Sequence, residues 1–208
     1  MPASNSIPVV ILTGGLGLRI GGHKGARMLA GENLLARSLT KARGYSSLVA
    51  ISCNRQSAPD LPGDLHLLFD ENVNEGPVSG LSSTLRYAAV CGASYAMIMP
   101  CDTPFLPEDL CSRLCASIGN CNAAVAESGG RMHATCSLWR VSAATALVDY
   151  RATGRRSLIG PAESVCYWAG ERAGATFHPF FYVNTKQGSV DAEPRLGKLP
   201  AKPYKGCL

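Results

Sequence analysis

A glycine-rich stretch near the start of the chain carries the residue types that can bind a phosphate. Five glycines occupy nine positions, namely Gly14, Gly15, Gly17, Gly21 and Gly22. Glycines tolerate positive φ and let the backbone come close to a ligand, and consecutive exposed amides form an anion-binding concavity. Arg19 and Lys24 add positive charge to the same stretch. These residues predict a site for a phosphorylated ligand, although the glycines alone are equally compatible with a flexible connection.

The element before this stretch indicates where such a site would lie. Val9–Leu12 is a short apolar run with three β-branched residues, which predicts a buried parallel strand. A loop that follows such a strand lies at the carboxyl edge of the sheet, where open α/β folds bind their ligands. Two common phosphate-binding motifs do not match: the third glycine of the dinucleotide fingerprint is missing, and no Gly-Lys-Ser/Thr follows as in a Walker loop.

Three further polar residues each follow a predicted strand. Asn54, Asp70 and Asp102 come after apolar runs at residues 48–52, 65–69 and 95–99. Parallel strands would bring all three to the same edge as the glycine-rich stretch. For each of them a local turn or a helix cap is the alternative interpretation.

Asp102 has the setting of a metal ligand. Pro100 and Pro104 flank it. A carboxylate fixed at a strand end can hold Mg²⁺, which prefers one or two carboxylates together with phosphate oxygens.

Helices and further strands are predicted between and after these residues. Helices are expected at residues 33–43, ended by Gly44, at 78–90, where Gly80 allows close packing, at 107–118, opened by Pro107, and at 141–151. Strands are expected at residues 123–127, 131–139, 165–168 and 175–177. His133 and Trp139 could line a second pocket, but packing is the commoner role of such residues.

Length and composition fit one α/β domain. The 208 residues are 46% hydrophobic and 17% charged, and no run is long enough to span a membrane. We expect one domain over residues 1–193, a basic flexible tail over 194–208 and a cytoplasmic location, since the amino terminus does not resemble a secretion signal. The net charge of +5 comes without a basic–aromatic patch, which argues against nucleic acid as a partner. No two of the nine cysteines are spaced as Cys-x-x-Cys and no closely spaced His pair accompanies them, so a zinc site is not expected and the cysteines are expected to be free thiols.

Four separated segments resemble one family. Residues 12–24 resemble the signature L-A-G-G-x-x-x-R-M-G-G-x-D-K of the nucleotidyltransferases that act on molybdopterin, in their molybdenum cofactor guanylyltransferase branch. Asp70 followed by Gly-Pro-Val-Ser-Gly at residues 76–80 resembles the family's aspartate and G-P-L-x-G. Pro-Cys-Asp-Thr-Pro-Phe-Leu at residues 100–106 resembles its metal-binding segment, and residues 180–185 resemble its F-F-N-x-N-T.

The resemblance implies a fold and a reaction. The fold would be a three-layer α/β/α sandwich of the Rossmann-like nucleotide-diphospho-sugar transferase type, with a mostly parallel central sheet. The reaction would be the transfer of GMP from Mg-GTP to molybdenum-loaded molybdopterin, with release of pyrophosphate. The protein would be a monomer or a weak homo-oligomer, with other molybdenum cofactor biosynthesis proteins or molybdoenzyme chaperones as possible partners.

The resemblance also assigns roles to residues. It implies that the catalytic residues are Arg19 and Lys24 on the phosphates and Asp102 on Mg²⁺, and that Asn184 and Thr185 lie on the molybdopterin side. The nucleotide site would comprise Leu12, Thr13, Gly14, Gly15, Gly17, Arg19, Lys24, Asn54, Asp70, Gly80 and Asp102.

Base choice and two substitutions leave alternatives open. Gly14 stands where the cytidylyltransferase branch more often has alanine, and the missing methyl favours a purine. His23 replaces an aspartate of the family, and Tyr182 replaces an asparagine. The alternatives are a CTP-dependent or other nucleotidyltransferase, and a non-catalytic nucleotide-binding or cofactor-delivery protein.

Overall fold

The structure is a computed structural model that describes residues 6–13, 26–59, 65–70, 76–158, 160, 165–169, 179–183 and 186–196. The glycine-rich stretch at 14–25, the strand predicted at 175–177, and Asn184 and Thr185 therefore lie outside the described residues.

A seven-stranded sheet forms the centre of the fold. Its strands are β1 (Val9–Leu12), β4 (Val49–Cys53), β5 (His66–Phe69), β6 (Tyr95–Pro100), β7 (Ala123–Ser128), β8 (Arg131–Arg140) and β9 (Val165–Ala169). They lie in the order β5-β4-β1-β6-β8-β7-β9. The pairs β5–β4, β4–β1, β1–β6 and β7–β9 are parallel, whereas β8 runs antiparallel to both of its neighbours. The sheet is thus mostly parallel, as predicted.

Helices cover both faces of the sheet. The alternation of side chains along β1 sends Val9 and Ile11 to one face and Val10 and Leu12 to the other. Helices α1 (Leu34–Tyr45) and α3 (Leu110–Ser117) pack on the first face, and α2 (Pro77–Val90) and α4 (Ala144–Ala152) pack on the second. This arrangement confirms the three-layer α/β/α sandwich.

A smaller cluster joins two elements that the sequence analysis did not predict. The first is a short hairpin of β2 (Met28–Leu29) and β3 (Glu32–Asn33), and the second is helix α5 (Lys186–Leu196). Leu29, Val183 and Ala192 are buried together in this cluster. Helix α5 continues past residue 193, so it crosses the domain boundary, which stays a prediction.

Two helix boundaries differ from their predicted positions. Gly44 lies inside α1, which is capped by Asn33 at its start and ends only at Tyr45, two residues past the predicted end, where the side chain of Tyr45 is buried. Pro107 does not open α3, which begins three residues later at Leu110. The Pro107 carbonyl instead accepts hydrogen bonds from the Tyr45 hydroxyl and from the Leu110 amide.

The cysteines are mostly, but not all, free thiols. Cys53, Cys101, Cys111, Cys115 and Cys136 are free and buried, and Cys91 is free and exposed. Cys121 is disulfide-bonded, so the expectation of free thiols is wrong at this position. In the part of the chain that the structure describes, no helix has both the length and the apolar character needed to cross a membrane.

Candidate functional site at the carboxyl edge of the sheet

The carboxyl ends of four neighbouring parallel strands bring polar residues to one edge of the sheet. Thr13 follows β1, Asn54 follows β4, Asp70 follows β5 and Asp102 lies two residues beyond β6. The register pairs Leu12 with Ser52 and with Pro100, so these strands end at nearly the same level. In the sequence, the glycine-rich stretch directly follows Thr13.

Thr13 is fixed to the neighbouring strand. Its backbone amide and its side-chain hydroxyl both donate to the carbonyl oxygen of Ser52, each at 3.0 Å. Leu12, the residue before it, is buried against the α2 side of the sheet. The point at which the chain enters the glycine-rich stretch is therefore held in place by β4.

Asp70 is oriented by a residue that the sequence analysis missed. The hydroxyl of Ser52 donates to Asp70 Oδ1 at 2.7 Å, and the Asp70 amide donates to the carbonyl of Cys53 at 3.0 Å. Burial raises the pKa of the Asp70 carboxyl, and the hydrogen bond from Ser52 opposes that rise. A half-buried carboxylate with one fixed partner can accept further hydrogen bonds from a ligand. The only signal for Ser52 in the sequence is a lone hydroxyl in a buried apolar run.

Gly80 makes room for this arrangement. A Cβ atom at Gly80 would lie 2.8 Å from Leu12 Cδ2 and 2.9 Å from Ser52 Oγ. The missing side chain lets α2 pack directly against β1 and β4, which the sequence analysis predicted. It also leaves the Ser52 hydroxyl free to reach Asp70. Gly80 thus supports the site through packing.

Asn54 has the local role that the sequence analysis kept as an alternative. Its side-chain oxygen accepts a hydrogen bond from the Gln56 amide at 3.1 Å and caps the 3-10 helix Arg55–Ser57. The Arg55 guanidinium carbon lies 4.4 Å from the centre of the Phe69 ring, which connects the ends of β4 and β5. A contact between Asn54 and a nucleotide stays a prediction.

Asp102 lies in a turn that is tied to three parts of the chain. The Cys101 amide donates to the Leu12 carbonyl at 3.3 Å, and the Ser38 hydroxyl donates to the Cys101 carbonyl at 3.1 Å. The Val183 amide donates to the Asp102 carbonyl at 2.8 Å. Asp102 is only 5% exposed, and the N-cap position of α3 belongs to Asp109, so Asp102 does not cap that helix.

The donor set at this edge fits Mg²⁺ bound together with a nucleotide. Magnesium usually takes one or two carboxylates and completes its shell with substrate phosphates and water. Asp102 supplies one such carboxylate from a turn whose backbone is held by hydrogen bonds. Among the described residues no group of three or more His, Cys, Asp or Glu could hold a metal ion alone.

Two residues considered for a second pocket are buried. Trp139 is 1% exposed and donates from Nε1 to the Ser137 hydroxyl at 2.8 Å, so its role is packing. His133 is 2% exposed and lies in a chain of hydrogen bonds beside the turn that carries Asp102.

A groove of about 370 Å³ lies along the outer strand β5, on the side of α2. Arg55, Leu68, Phe69, Arg86 and Tyr87 are among the residues that line it. Thr13, Asp70 and Asp102 do not line this groove, so we do not assign it to the reaction.

An open, mostly parallel sheet with polar residues at its carboxyl edge, one of which is directly followed in the sequence by a glycine-rich stretch, defines a nucleotide-binding α/β domain. The model of the MobA-like NTP transferase domain matches residues 9–165. This chain belongs to that family, and it is a nucleotidyltransferase.

Similar proteins agree with this assignment over nearly the whole chain. The molybdenum cofactor guanylyltransferase of Cereibacter sphaeroides is 40% identical over 191 residues, which cover 91% of this chain and 96% of that protein. The molybdenum cofactor guanylyltransferase of Acidiphilium cryptum is 34% identical over 200 residues, which cover 92% and 95%.

Solved structures share the fold. Molybdopterin-guanine dinucleotide biosynthesis protein A from Archaeoglobus fulgidus superposes with a TM-score of 0.75 at 22% identity, over 93% of this chain and 100% of that one. The 2-C-methyl-D-erythritol 4-phosphate cytidylyltransferase of Thermus thermophilus gives a TM-score of 0.68 at 16% identity, over 90% and 98%.

Replacement of Gly80 by alanine tests the packing beneath Asp70. We expect Gly80→Ala to lower the free energy of unfolding by about 1–3 kcal/mol, the usual cost of an added methyl in a tight contact. Chemical denaturation measures this change. Gly44→Ala is the matched control, because a Cβ at Gly44 meets nothing within 4 Å and alanine is favoured inside a helix. A Gly80→Ala protein as stable as the Gly44→Ala protein would contradict the close packing.

Proposed function

We propose that this chain transfers GMP from Mg-GTP to the terminal phosphate of molybdopterin. In this reaction an oxygen of the acceptor phosphate bonds to the α-phosphorus of GTP, and the bond from that phosphorus to the β-phosphate oxygen breaks. Pyrophosphate leaves, and the product is molybdopterin guanine dinucleotide. The observation that carries the proposal is the position of Asp70 and Asp102 at the same edge as Thr13, which the glycine-rich stretch directly follows in the sequence, in a chain of this family.

We assign the triphosphate of GTP to the glycine-rich stretch near the start of the chain. Gly14, Gly15 and Gly17 would let the backbone approach the nucleotide, and Arg19 and Lys24 would neutralise its charge. Attack on a phosphate builds negative charge on its oxygens and on the leaving group, and cations fixed at those atoms lower the barrier. No side-chain nucleophile is required, because the acceptor is itself a phosphate.

Asp102 is assigned to the metal. A bound Mg²⁺ supplies positive charge against the triphosphate. The contribution of the chain is to hold the carboxylate still, and the hydrogen bonds from Cys101 to β1 and from Val183 to the Asp102 carbonyl support this role.

Asp70 supports the choice of GTP. Guanine presents two neighbouring donors, its N1–H and its N2 amino group, which one carboxylate can accept together. Cytosine presents a single amino group beside an acceptor. Asp70 is half-buried with a raised pKa, so paired donors from a base would compensate for its desolvation. Asn54 could contribute a further contact to the base or the ribose.

We assign the acceptor to the side of Asp102 on which Val183 lies, opposite the side of β1. Asn184 and Thr185 directly follow Val183, whose amide is bonded to the Asp102 carbonyl. We place the reaction in the cytoplasm, with other molybdenum cofactor proteins or molybdoenzyme chaperones as the partners that supply the acceptor or receive the product.

Loss of the Asp102 carboxylate tests the function. We expect Asp102→Ala to lower turnover by roughly 10²-fold or more, the scale of losing one main electrostatic stabiliser. The measurement is pyrophosphate release from GTP in the presence of Mg²⁺ and molybdenum-loaded molybdopterin. Asp149→Ala, on the exposed side of α4, is the control. Unchanged Mg²⁺-dependent turnover in Asp102→Ala would remove the metal assignment.

Loss of the Lys24 charge tests the assignment of the phosphates. We expect Lys24→Ala to weaken GTP binding or turnover far more than Arg43→Ala, because only Lys24 belongs to the glycine-rich stretch. Arg43 is an exposed residue of α1 and a better control than Lys41, which is half-buried and whose pKa is lowered by that burial. Titration of each variant with GTP measures the difference. Equal effects of the two substitutions would count against a phosphate contact of Lys24.

A further inference from the structure

A chain of buried polar side chains lies beside the turn that carries Asp102. The Ser128 hydroxyl is 2.8 Å from His133 Nε2, and His133 Nδ1 is 3.3 Å from the Tyr182 hydroxyl. Ser128 is 5% exposed and His133 is 2% exposed. These hydrogen bonds connect β7, β8 and the segment 179–183. The reaction described above assigns no role to Ser128, His133 or Tyr182.

An irregularity in β8 brings these residues to the active edge. Val125 of β7 pairs with Ser137, and the next residue, Ala126, pairs with His133. Residues 134–136 therefore bulge out of the pairing with β7, and the pairing of β8 with β6 also ends at Ser137. Bulges often redirect side chains beside active sites. Because β7 runs in the same direction as β6, its last residue, Ser128, lies at the same edge of the sheet as Asp102.

The segment that carries Tyr182 is fixed to Asp102 on one side and to His133 on the other. The Val183 amide donates to the Asp102 carbonyl at 2.8 Å, while the Phe180 ring stacks on the His133 ring at 4.3 Å with an angle of 10°. Phe180 is 1% exposed, whereas Tyr182 is only partly buried. The residues on both sides of Tyr182 are thus held, while Tyr182 itself keeps part of its surface exposed.

The hydrogen-bonding groups of Ser128 and His133 allow them to orient the Tyr182 hydroxyl. Hydroxyl groups both donate and accept, and a neutral imidazole has one donor and one acceptor. When Ser128 donates to Nε2, the Nδ1–H of His133 donates to the Tyr182 oxygen, which also has a side-chain hydrogen bond with Thr135, and the phenol hydrogen can donate to a ligand. Stacking on Phe180 keeps the imidazole in the required plane.

Positive charge lies on the same side of the site. The Arg131 guanidinium carbon is 5.9 Å from the centre of the Tyr182 ring, and Arg131 is exposed. Burial raises the pKa of Tyr182 to about 12, so its hydroxyl stays protonated and remains a donor at neutral pH. A hydrogen-bond donor next to a guanidinium suits an oxygen-rich anion.

We propose that Tyr182 binds the phosphorylated acceptor through its hydroxyl, and that Ser128 and His133 position this hydroxyl for that contact. The inference rests on the proposed function, and it assigns a role to the tyrosine that replaces the family's asparagine. Ser128 and His133 act through Tyr182, so they are positioning residues. The contact concerns the acceptor and leaves the GTP side of the site unchanged.

The test compares two KM values in three variants. Tyr182→Phe should raise the KM for molybdopterin about tenfold, the effect of losing one hydrogen bond to a charged group, and should leave the KM for GTP within about twofold. Ser128→Ala should raise the same KM by a smaller factor. The double variant Ser128→Ala/Tyr182→Phe should equal Tyr182→Phe alone, since Ser128 acts only through the hydroxyl. Tyr95→Phe, which loses a 2.8 Å hydrogen bond from Arg140 at the far end of β6, is the control for loss of a phenol.

A purely structural role predicts a different pattern. In that case Tyr182→Phe and Ser128→Ala would have lower melting temperatures, as Tyr95→Phe would, and both KM values would be unchanged. That result would overturn the inference. Equal rises in the KM for GTP and for molybdopterin would overturn it as well.

Equilibrium binding of molybdopterin separates this inference from the proposed function. If the wild type binds molybdopterin without turnover, the transfer reaction fails, and a tenfold weaker binding in Tyr182→Phe still supports the inference. A wild type that does not bind molybdopterin would overturn both.

Discussion

Parallel pairing of β1 with β4 and with β6 is the constraint on which the rest of the structure depends. It ends three strands at one level, so that residues far apart in the chain meet at one edge without any local sequence relation. Hydrogen bonds then fix each strand end: Thr13 to Ser52, Asp70 to Ser52 and Cys101 to Leu12. Ser52 belongs to two of these contacts and is therefore the residue that connects β1 with Asp70.

The carboxyl edge of the sheet has two halves, and the antiparallel strand β8 contributes to the second. On the side of β4 and β5, the parallel strands present Asp70 and the end of β1. On the other side, the bulge of β8 presents His133 toward the segment 179–183. Asp102 lies between the two halves, since its turn is bonded to β1 on one side and to Val183 on the other. We propose that one half of this edge receives the nucleotide and the other half the second phosphorylated molecule, with Asp102 as the metal ligand between them.

The sequence predicts the parts of this structure that depend on local patterns. Short apolar runs identify the strands, and Asn54, Asp70 and Asp102, each within three residues after such a run, indicate the carboxyl edge. The packing role of Gly80 could also be predicted, because a glycine at the start of a helix beside a sheet indicates close approach. In the structure Asn54 caps a short 3-10 helix. A single asparagine in a predicted turn does not indicate whether it forms such a cap or contacts a ligand.

The parts that sequence patterns do not reveal depend on contacts between distant residues. Ser52 appears in the sequence as one residue of a buried strand, and only the pairing of β4 with β5 places it beside Asp70. The bulge at residues 134–136 requires the register of β7 against β8, which no local pattern encodes. Pro107 matches the usual first position of a helix, but its carbonyl accepts the Tyr45 hydroxyl from α1, and α3 begins later. In each case a tertiary contact determines the local structure.

The binding of nucleotides in the presence of Mg²⁺ tests the central claim most directly. Thermal unfolding should be measured with GTP, CTP, ATP and UTP at equal concentrations. A ligand at about 100 times its Kd stabilises the folded state by about 2.7 kcal/mol, which corresponds to a rise in Tm of about 5–10 °C for a chain of this size. The account predicts this shift with GTP alone. A shift with CTP in place of GTP, or no shift with any of the four nucleotides, would contradict it.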